Sequence, residues 1–128
     1  MNSPLSPEQI QRLSPVQLAY IGDGVYELWM RLYHLWPPRR IQVYHQQVVA
    51  QVRAENQAQQ LEQLLPMLTA AETEIVRRGR NAATGKPKRL DAETYGRATG
   101  LEALLGYLYL ANQSRLQELL GYLKIALS

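Results

Sequence analysis

Two carboxylates stand in unusual company in this chain. Asp23 sits between two glycines in Leu18-Ala-Tyr-Ile-Gly-Asp-Gly-Val-Tyr-Glu-Leu28, an otherwise apolar run. Glu102 sits among small and apolar residues in Ala98-Thr-Gly-Leu-Glu-Ala-Leu-Leu-Gly106. Glycine costs a helix interior roughly 1 kcal/mol relative to alanine. Gly22 and Gly24 therefore call for a close approach of backbone or ligand on either side of Asp23. The competing reading of each carboxylate is a solvated charge on an outer helix face, but such a face has no use for Gly22, Gly24 and Gly106. The reading adopted is that Asp23 and Glu102 meet across a helix pair and share a divalent metal. Cysteine is absent and the two histidines, His34 and His45, are far apart in sequence. Thiolate ligands are excluded and a zinc site is not expected. Oxygen ligands select a hard cation, Mg²⁺ with Mn²⁺ as the substitute.

A second constellation points to the partner. From Ile75 to Leu90 the chain carries Arg77, Arg78, Arg80, Lys86, Lys88 and Arg89 and no acidic residue, in a protein whose net charge is only +3. Such a concentration of one sign is suited to a polyanion, with nucleic acid as the natural one. Asn81 and the nearby glycines would let this segment follow a phosphate chain; its bland alternative is a mobile soluble loop.

These residues must be positioned by helices. The 128 residues suffice for one domain with a real core, taken as residues 1–128. Ser6-Pro7 opens a short helix and Ser14-Pro15 a long one running to about Leu35, stopped by Trp36-Pro37-Pro38. The core stripe of the long helix is read as Leu18, Ile21, Val25, Leu28 and Leu32, which puts Asp23 nearly opposite it with Ala19 and Glu27. Ile41 to about Gln63 is helical with a break near Ala54-Glu55-Asn56 and a long glutamine-rich polar face. Thr69 to Glu72 has the form of a capping box for a helix to about Arg78. Gly79 to Leu90 is read as a loop. Asp91 caps a helix from Ala92 to about Ala111 with a core stripe of Leu101, Leu104, Leu105 and Leu108. Tyr95, Thr99, Glu102 and Gly106 form its second stripe. Ser114 is expected to cap a last helix through Leu127. No strand pattern appears, so the fold class is all-α with five or six helices.

Other polar residues have plainer roles. Glu27 pairs with Arg31 at i, i+4. His34 is read as a surface or helix-end residue and His45 as a polar surface residue. Of the tyrosines, Tyr20, Tyr26 and Tyr95 lie near the proposed site. No apolar run approaches the roughly 20 residues of a membrane span. Nor does the start of the chain show a secretory signal. With cysteine absent, a cytoplasmic location away from membranes is expected.

At Tyr20-Ile-Gly-Asp-Gly-Val25 and Thr99-Gly-Leu-Glu-Ala-Leu-Leu-Gly106 the sequence resembles the ribonuclease III catalytic domain over nearly its whole length. Arg78-Gly-Arg-Asn81, the loop after it, Tyr95 and Ala98-Thr99 are closer still to the Mini subgroup, stand-alone catalytic domains without the double-stranded-RNA-binding domain. The family at large has four acidic residues per site. Here two of those positions hold Asp23 and Glu102, and the other two hold Ala19 and Thr99, departures the Mini subgroup shares.

The resemblance implies a ribonuclease III helical fold in a two-fold homodimer and Mg²⁺-dependent cleavage of double-stranded RNA to 5′-phosphate products. It implies Asp23 and Glu102 as catalytic metal ligands, with Thr99, Tyr95 and, as an outsider, Glu27 orienting them or their waters. On the residues themselves, Arg77, Arg78, Arg80, Asn81, Lys86, Lys88 and Arg89 would contact RNA, and the apolar side of the first long helix, with Trp29 and Leu32, is the candidate dimer interface, with intramolecular core as the alternative role of the same residues. The substrate it implies is the large-subunit (23S) ribosomal RNA precursor. Two other readings remain at this point: a non-catalytic RNA-binding module with a degenerate metal site, and a helical protein-binding adaptor.

Overall fold

A computed structural model describes residues 4–123, the side chain of Gln51 excepted. Among these residues there are seven α-helices and no strand: α1 (Pro7–Gln11), α2 (Pro15–Tyr33), α3 (Ile41–Gln51), α4 (Ala54–Leu64), α5 (Ala70–Ala82), α6 (Ala92–Ala111) and α7 (Gln113–Gly121). A 3₁₀ turn, Leu65–Met67, links α4 to α5. Ser6, Ser14 and Thr69 each close a full capping box, as the sequence predicts for Thr69, and Asp91 accepts from the Thr94 amide to start α6.

α6 is the central element. It packs against α2, α5, α4 and α7, and Leu101, Ala103, Leu104 and Leu105 on it are fully buried. Its glycines decide how close the neighbours come. A Cβ on Gly106 would lie 1.9 Å from the Leu18 carbonyl oxygen of α2, and a Cβ on Gly22 would lie 1.7 Å from the Glu102 carbonyl oxygen of α6. On the other side a Cβ on Gly79 of α5 would lie 2.9 Å from the Ala103 Cβ. Helices normally cross with axes 8–10 Å apart, set by side chains. Here backbones touch, and only hydrogen fits between them.

This crossing corrects the phase read for α2. Its buried residues are Leu18, Ala19, Gly22, Tyr26 and Met30. Ile21, Leu28 and Leu32 are 39, 59 and 58% exposed, and Val25 is half-buried. At the crossing itself the inner side is small, with Ala19 and Gly22, and three large aliphatic residues are left on the outer side. Asp23 therefore flanks the core face instead of opposing it. Gly24 also differs from expectation: its Cβ position has nothing within 4 Å, so no approach requires it.

Four boundaries move. The break in the 41–63 stretch falls at Val52-Arg53, making seven α-helices of the expected five or six. α5 continues to Ala82, because Gly79 packs on α6 instead of starting a loop; Arg77, Arg78, Arg80 and Asn81 are thus helical. α7 starts at Gln113, capped by Asn112 where Ser114 was expected. α2 ends at Tyr33. Leu127, assigned to the last helix, lies outside the described residues.

α5 is tied to α7 by Arg115, which meets both oxygens of the buried Glu72 at 2.9 Å and donates to the Met67 carbonyl at 2.8 Å. His34 is the C-cap of α2, at the helix end as read, but it is buried rather than at the surface.

The glycine crossing makes a sharp contrast testable by thermal unfolding. Gly22→Ala and Gly106→Ala destabilise by roughly 3 kcal/mol or more, the upper end for overpacking. Gly24→Ala, on an exposed helical position, raises stability by up to about 1 kcal/mol.

Candidate active site

The crossing at Gly22 and Gly106 leaves Asp23, the residue after one touching glycine, beside Glu102, whose own carbonyl is the atom touched. The two carboxylates line one cleft of about 640 Å³. α2 adds Ala19 and Tyr20 to it; α6 adds Tyr95, Ala98 and Thr99. The α3–α4 junction supplies Val52, Arg53 and Gln57, and the segment after α5 supplies Thr84, Pro87 and Arg89. Four segments of the chain thus meet at one cleft.

Electrostatics at the pair are unusual. Asp23 is exposed, whereas Glu102 is half-buried and its carboxyl is pushed up to about 8. Burial is the main cause, followed by the hydrogen bond to Asp23 and the negative charge of Asp23, with a hydrogen bond from Gln57 acting the other way. At neutral pH, with no cation, Glu102 holds a proton that a dication would displace. Among the described residues no third His, Asp or Glu joins the pair in a cluster. Two carboxylates facing an open cleft fit Mg²⁺, which is held by one or two carboxylates, keeps several waters and takes further oxygens from substrate phosphate.

The other residues singled out from sequence are distributed as follows. Thr99 and Tyr95 line the cleft, but their hydroxyls donate elsewhere: Thr99 Oγ1 to the Tyr95 carbonyl at 3.0 Å, and the Tyr95 hydroxyl to the Thr84 carbonyl at 2.8 Å. Glu27 does not line the cleft; it pairs with Arg31 at 2.9 Å. Tyr26 is fully buried beneath the site, its hydroxyl donating to Gln60, and burial pushes its pKa well up. Arg77 is engaged by Glu74, and Arg89 by Glu55. Lys86 Nζ donates to the Leu90 carbonyl at 2.6 Å. Among the described residues Arg78, Arg80 and Lys88 form no ion pair with a carboxylate. Of the basic residues in this segment only Arg89 reaches the cleft wall; Arg77 and Arg80, with Asn81, line a separate cavity with Leu65, Thr73 and Val76.

Arg53 and Gln57 were missed in the sequence reading. The glutamine run was taken for a polar face, yet Gln57 and Gln60 are each 3% exposed. The signal was present: Gln57 is in helical phase with Leu61 and Leu64, and all three are buried.

The chain is similar to known proteins over most of its length. Residues 16–113 match the ribonuclease III domain family. The class is therefore the all-α ribonuclease III domain. The crystal structure of a Fusobacterium nucleatum protein superposes with a TM-score of 0.81 at 27% identity, covering 88% of this chain and 93% of that one. A Mini-ribonuclease 3 from Synechocystis is 56% identical over 96% of this chain and 86% of its own length. One from Synechococcus is 56% identical over 94% and 88%, and one from Gloeobacter violaceus 52% over 88% and 83%. The chain belongs to the Mini-ribonuclease 3 family, endoribonucleases of the ribonuclease III class.

The shifted Glu102 carboxyl has a stability signature. The folded state binds a proton that the unfolded chain releases near pH 4.3. In chelator, its contribution to stability is therefore greatest below that pH, falls as pH rises to about 8, and then levels. Asp23→Asn removes the like charge, so its melting temperature measured from pH 5 to 9 declines less than that of the wild type. Parallel curves would show that the two carboxylates do not interact.

Proposed function

We propose that this chain is a metal-dependent endoribonuclease that cuts double-stranded RNA at the Asp23–Glu102 pair, as a single catalytic domain over residues 1–128. The observation that carries this is the convergence of two carboxylates from separate helices in one cleft, in a chain of the ribonuclease III domain family. Asp23 and Glu102 would hold Mg²⁺, or Mn²⁺ in its place. The chemistry a bound ion supplies there is Lewis-acid chemistry: a more acidic attacking water and an offset to charge on the scissile phosphate and departing 3′ oxygen, which leaves 5′-phosphate ends.

The chain's own residues do the rest. Asp23, exposed, meets the cleft from the solvent side; Glu102, half-buried, meets it from below. Thr99 and Tyr95 bond to backbone carbonyls, which fixes the cleft wall behind the carboxylates. Glu27 is assigned to its pair with Arg31, and no part in catalysis is proposed for it. RNA duplexes are gripped mainly through phosphates, 2′-hydroxyls and shape. The end of α5 and the loop after it, with Arg77, Arg78, Arg80, Asn81, Lys86, Lys88 and Arg89, provide donors of that kind. The biological substrate proposed is the large-subunit (23S) ribosomal RNA precursor, in the cytoplasm. In keeping with this, no helix among the described residues is long and apolar enough to cross a membrane.

Cutting both strands needs two sites, and a two-fold dimer brings them together. The interface is proposed on the outer side of α2, where Ile21, Leu28 and Leu32 form an exposed apolar stripe and Trp36 is 80% exposed just beyond the helix. Trp29, earlier placed in that interface, packs partly on the core instead.

Three measurements follow. A cleavage assay on duplex RNA with Mg²⁺ should show Asp23→Asn and Glu102→Gln slower by at least about 100-fold; undiminished cutting by either would remove that residue from the site. In binding assays with chelator, Arg78→Ala, Arg80→Ala and Lys88→Ala should each weaken affinity for all duplexes and lower the salt slope by up to about 1. Arg77→Ala should do less, since its charge is already engaged by Glu74. Sedimentation should find the wild type dimeric and Leu28→Glu with Leu32→Glu monomeric; an unchanged dimer would move the interface elsewhere.

A further inference from the structure

α4 buries two amide side chains, Gln57 and Gln60, on the same side as Ala58, Leu61 and Leu64. A buried amide without a partner costs roughly 1–3 kcal/mol, so each must be satisfied. Gln60 accepts from the Tyr26 hydroxyl, a contact between α4 and the core side of α2. Gln57 lines the active-site cleft and hydrogen-bonds Glu102.

The other polar groups lining the cleft, Arg53 included, do not serve it in this way: the side chains that act on the Glu102 carboxyl are Asp23 and Gln57. Thr99 and Tyr95 direct their hydroxyl protons to backbone carbonyls, and Arg89 is engaged by Glu55. We infer that Gln57 is the positioning residue for Glu102: its side-chain amide donates to one carboxylate oxygen and leaves the other turned toward Asp23 and the bound cation. The inference rests on the metal-site reading above.

An amide suits this task for electrostatic reasons. It orients a carboxylate without adding charge, so the pair keeps the negative charge that attracts a dication. A lysine or arginine at 57 would cancel that charge, and an apolar residue would leave the carboxylate without a donor. Gln57 is also rigidly placed. Its backbone amide bonds to the Arg53 carbonyl at 3.1 Å, and its side chain is held between α4 and α6 with 3% exposure. Partners of this kind behind a metal ligand typically contribute 10–100-fold to metal affinity.

The test is Mn²⁺ binding to the RNA-free protein, read by electron paramagnetic resonance, for the wild type, Gln57→Met, Gln57→Leu, Gln60→Met and Glu102→Gln. Thermal unfolding confirms that each variant is folded, and methionine keeps the length of the side chain if leucine is not tolerated. The expected result is a Kd for Mn²⁺ raised roughly 10- to 100-fold in both Gln57 variants. Gln60→Met is expected to lose stability while its Mn²⁺ affinity stays that of the wild type. In cleavage, Gln57→Met should need more Mg²⁺ for half-maximal rate and recover most of the rate at saturation. Wild-type Mn²⁺ affinity in a folded Gln57 variant, alongside lost affinity in Glu102→Gln, would overturn the inference and leave the metal site standing. Undiminished affinity in Glu102→Gln would overturn both.

Discussion

The contact between the backbones of α2 and α6 at Gly22 and Gly106 is the constraint on which the molecule depends. A methyl group at either position would overlap a carbonyl oxygen of the opposite helix, with Cβ–O separations of 1.7 and 1.9 Å. With the backbones in contact, the next side chains outward are forced into a common space. Asp23 follows Gly22 directly, and Glu102 bears the carbonyl that Gly22 touches. The site is thus a by-product of the tightest packing in the fold. α5 repeats the device from the other flank through Gly79 against Gly100 and Ala103, which fixes where the basic segment leaves the domain.

This arrangement is electrostatically expensive. Two acids are brought together at the edge of a core, and the more buried one, Glu102, keeps a proton up to about pH 8. A structure optimised for stability alone would place a neutral residue at one of the two positions. What offsets the cost is the exchange of that proton for a dication, and then the approach of a phosphate chain. Two basic groups line the cleft, Arg53 at the start of α4 and Arg89, and Arg89 is held by Glu55.

Much of this was legible in the sequence, and the failures have physical causes. Helix starts were readable because Ser6-Pro7, Ser14-Pro15, Thr69 and Asp91 carry their own capping chemistry. The pairing of Asp23 with Glu102 was readable because Gly22 and Gly106 made sense only as contact points. The face of α2 was misread because hydrophobic periodicity weighs large side chains, while the crossing itself is built on small ones: Ala19 and Gly22 share the buried face with Leu18, Tyr26 and Met30, and Ile21, Leu28 and Leu32 are left outside. The extent of α5 was misread because Gly79 looked like a loop residue; its role is set by α6, which local sequence does not reveal. Gln57 was hidden by its neighbours, since seven glutamines between positions 46 and 63 look like a solvated face. Only the phase of Gln57 with Leu61 and Leu64 separates it from the exposed ones.

The central claim is that the glycine crossing builds one cation site shared by Asp23 and Glu102. Crystals of the protein soaked in Mn²⁺ test it most directly through anomalous scattering. The account predicts an anomalous peak within coordinating distance of carboxylate oxygens from both residues. A peak that touches neither, or none at all at a Mn²⁺ concentration that supports cleavage, would contradict it.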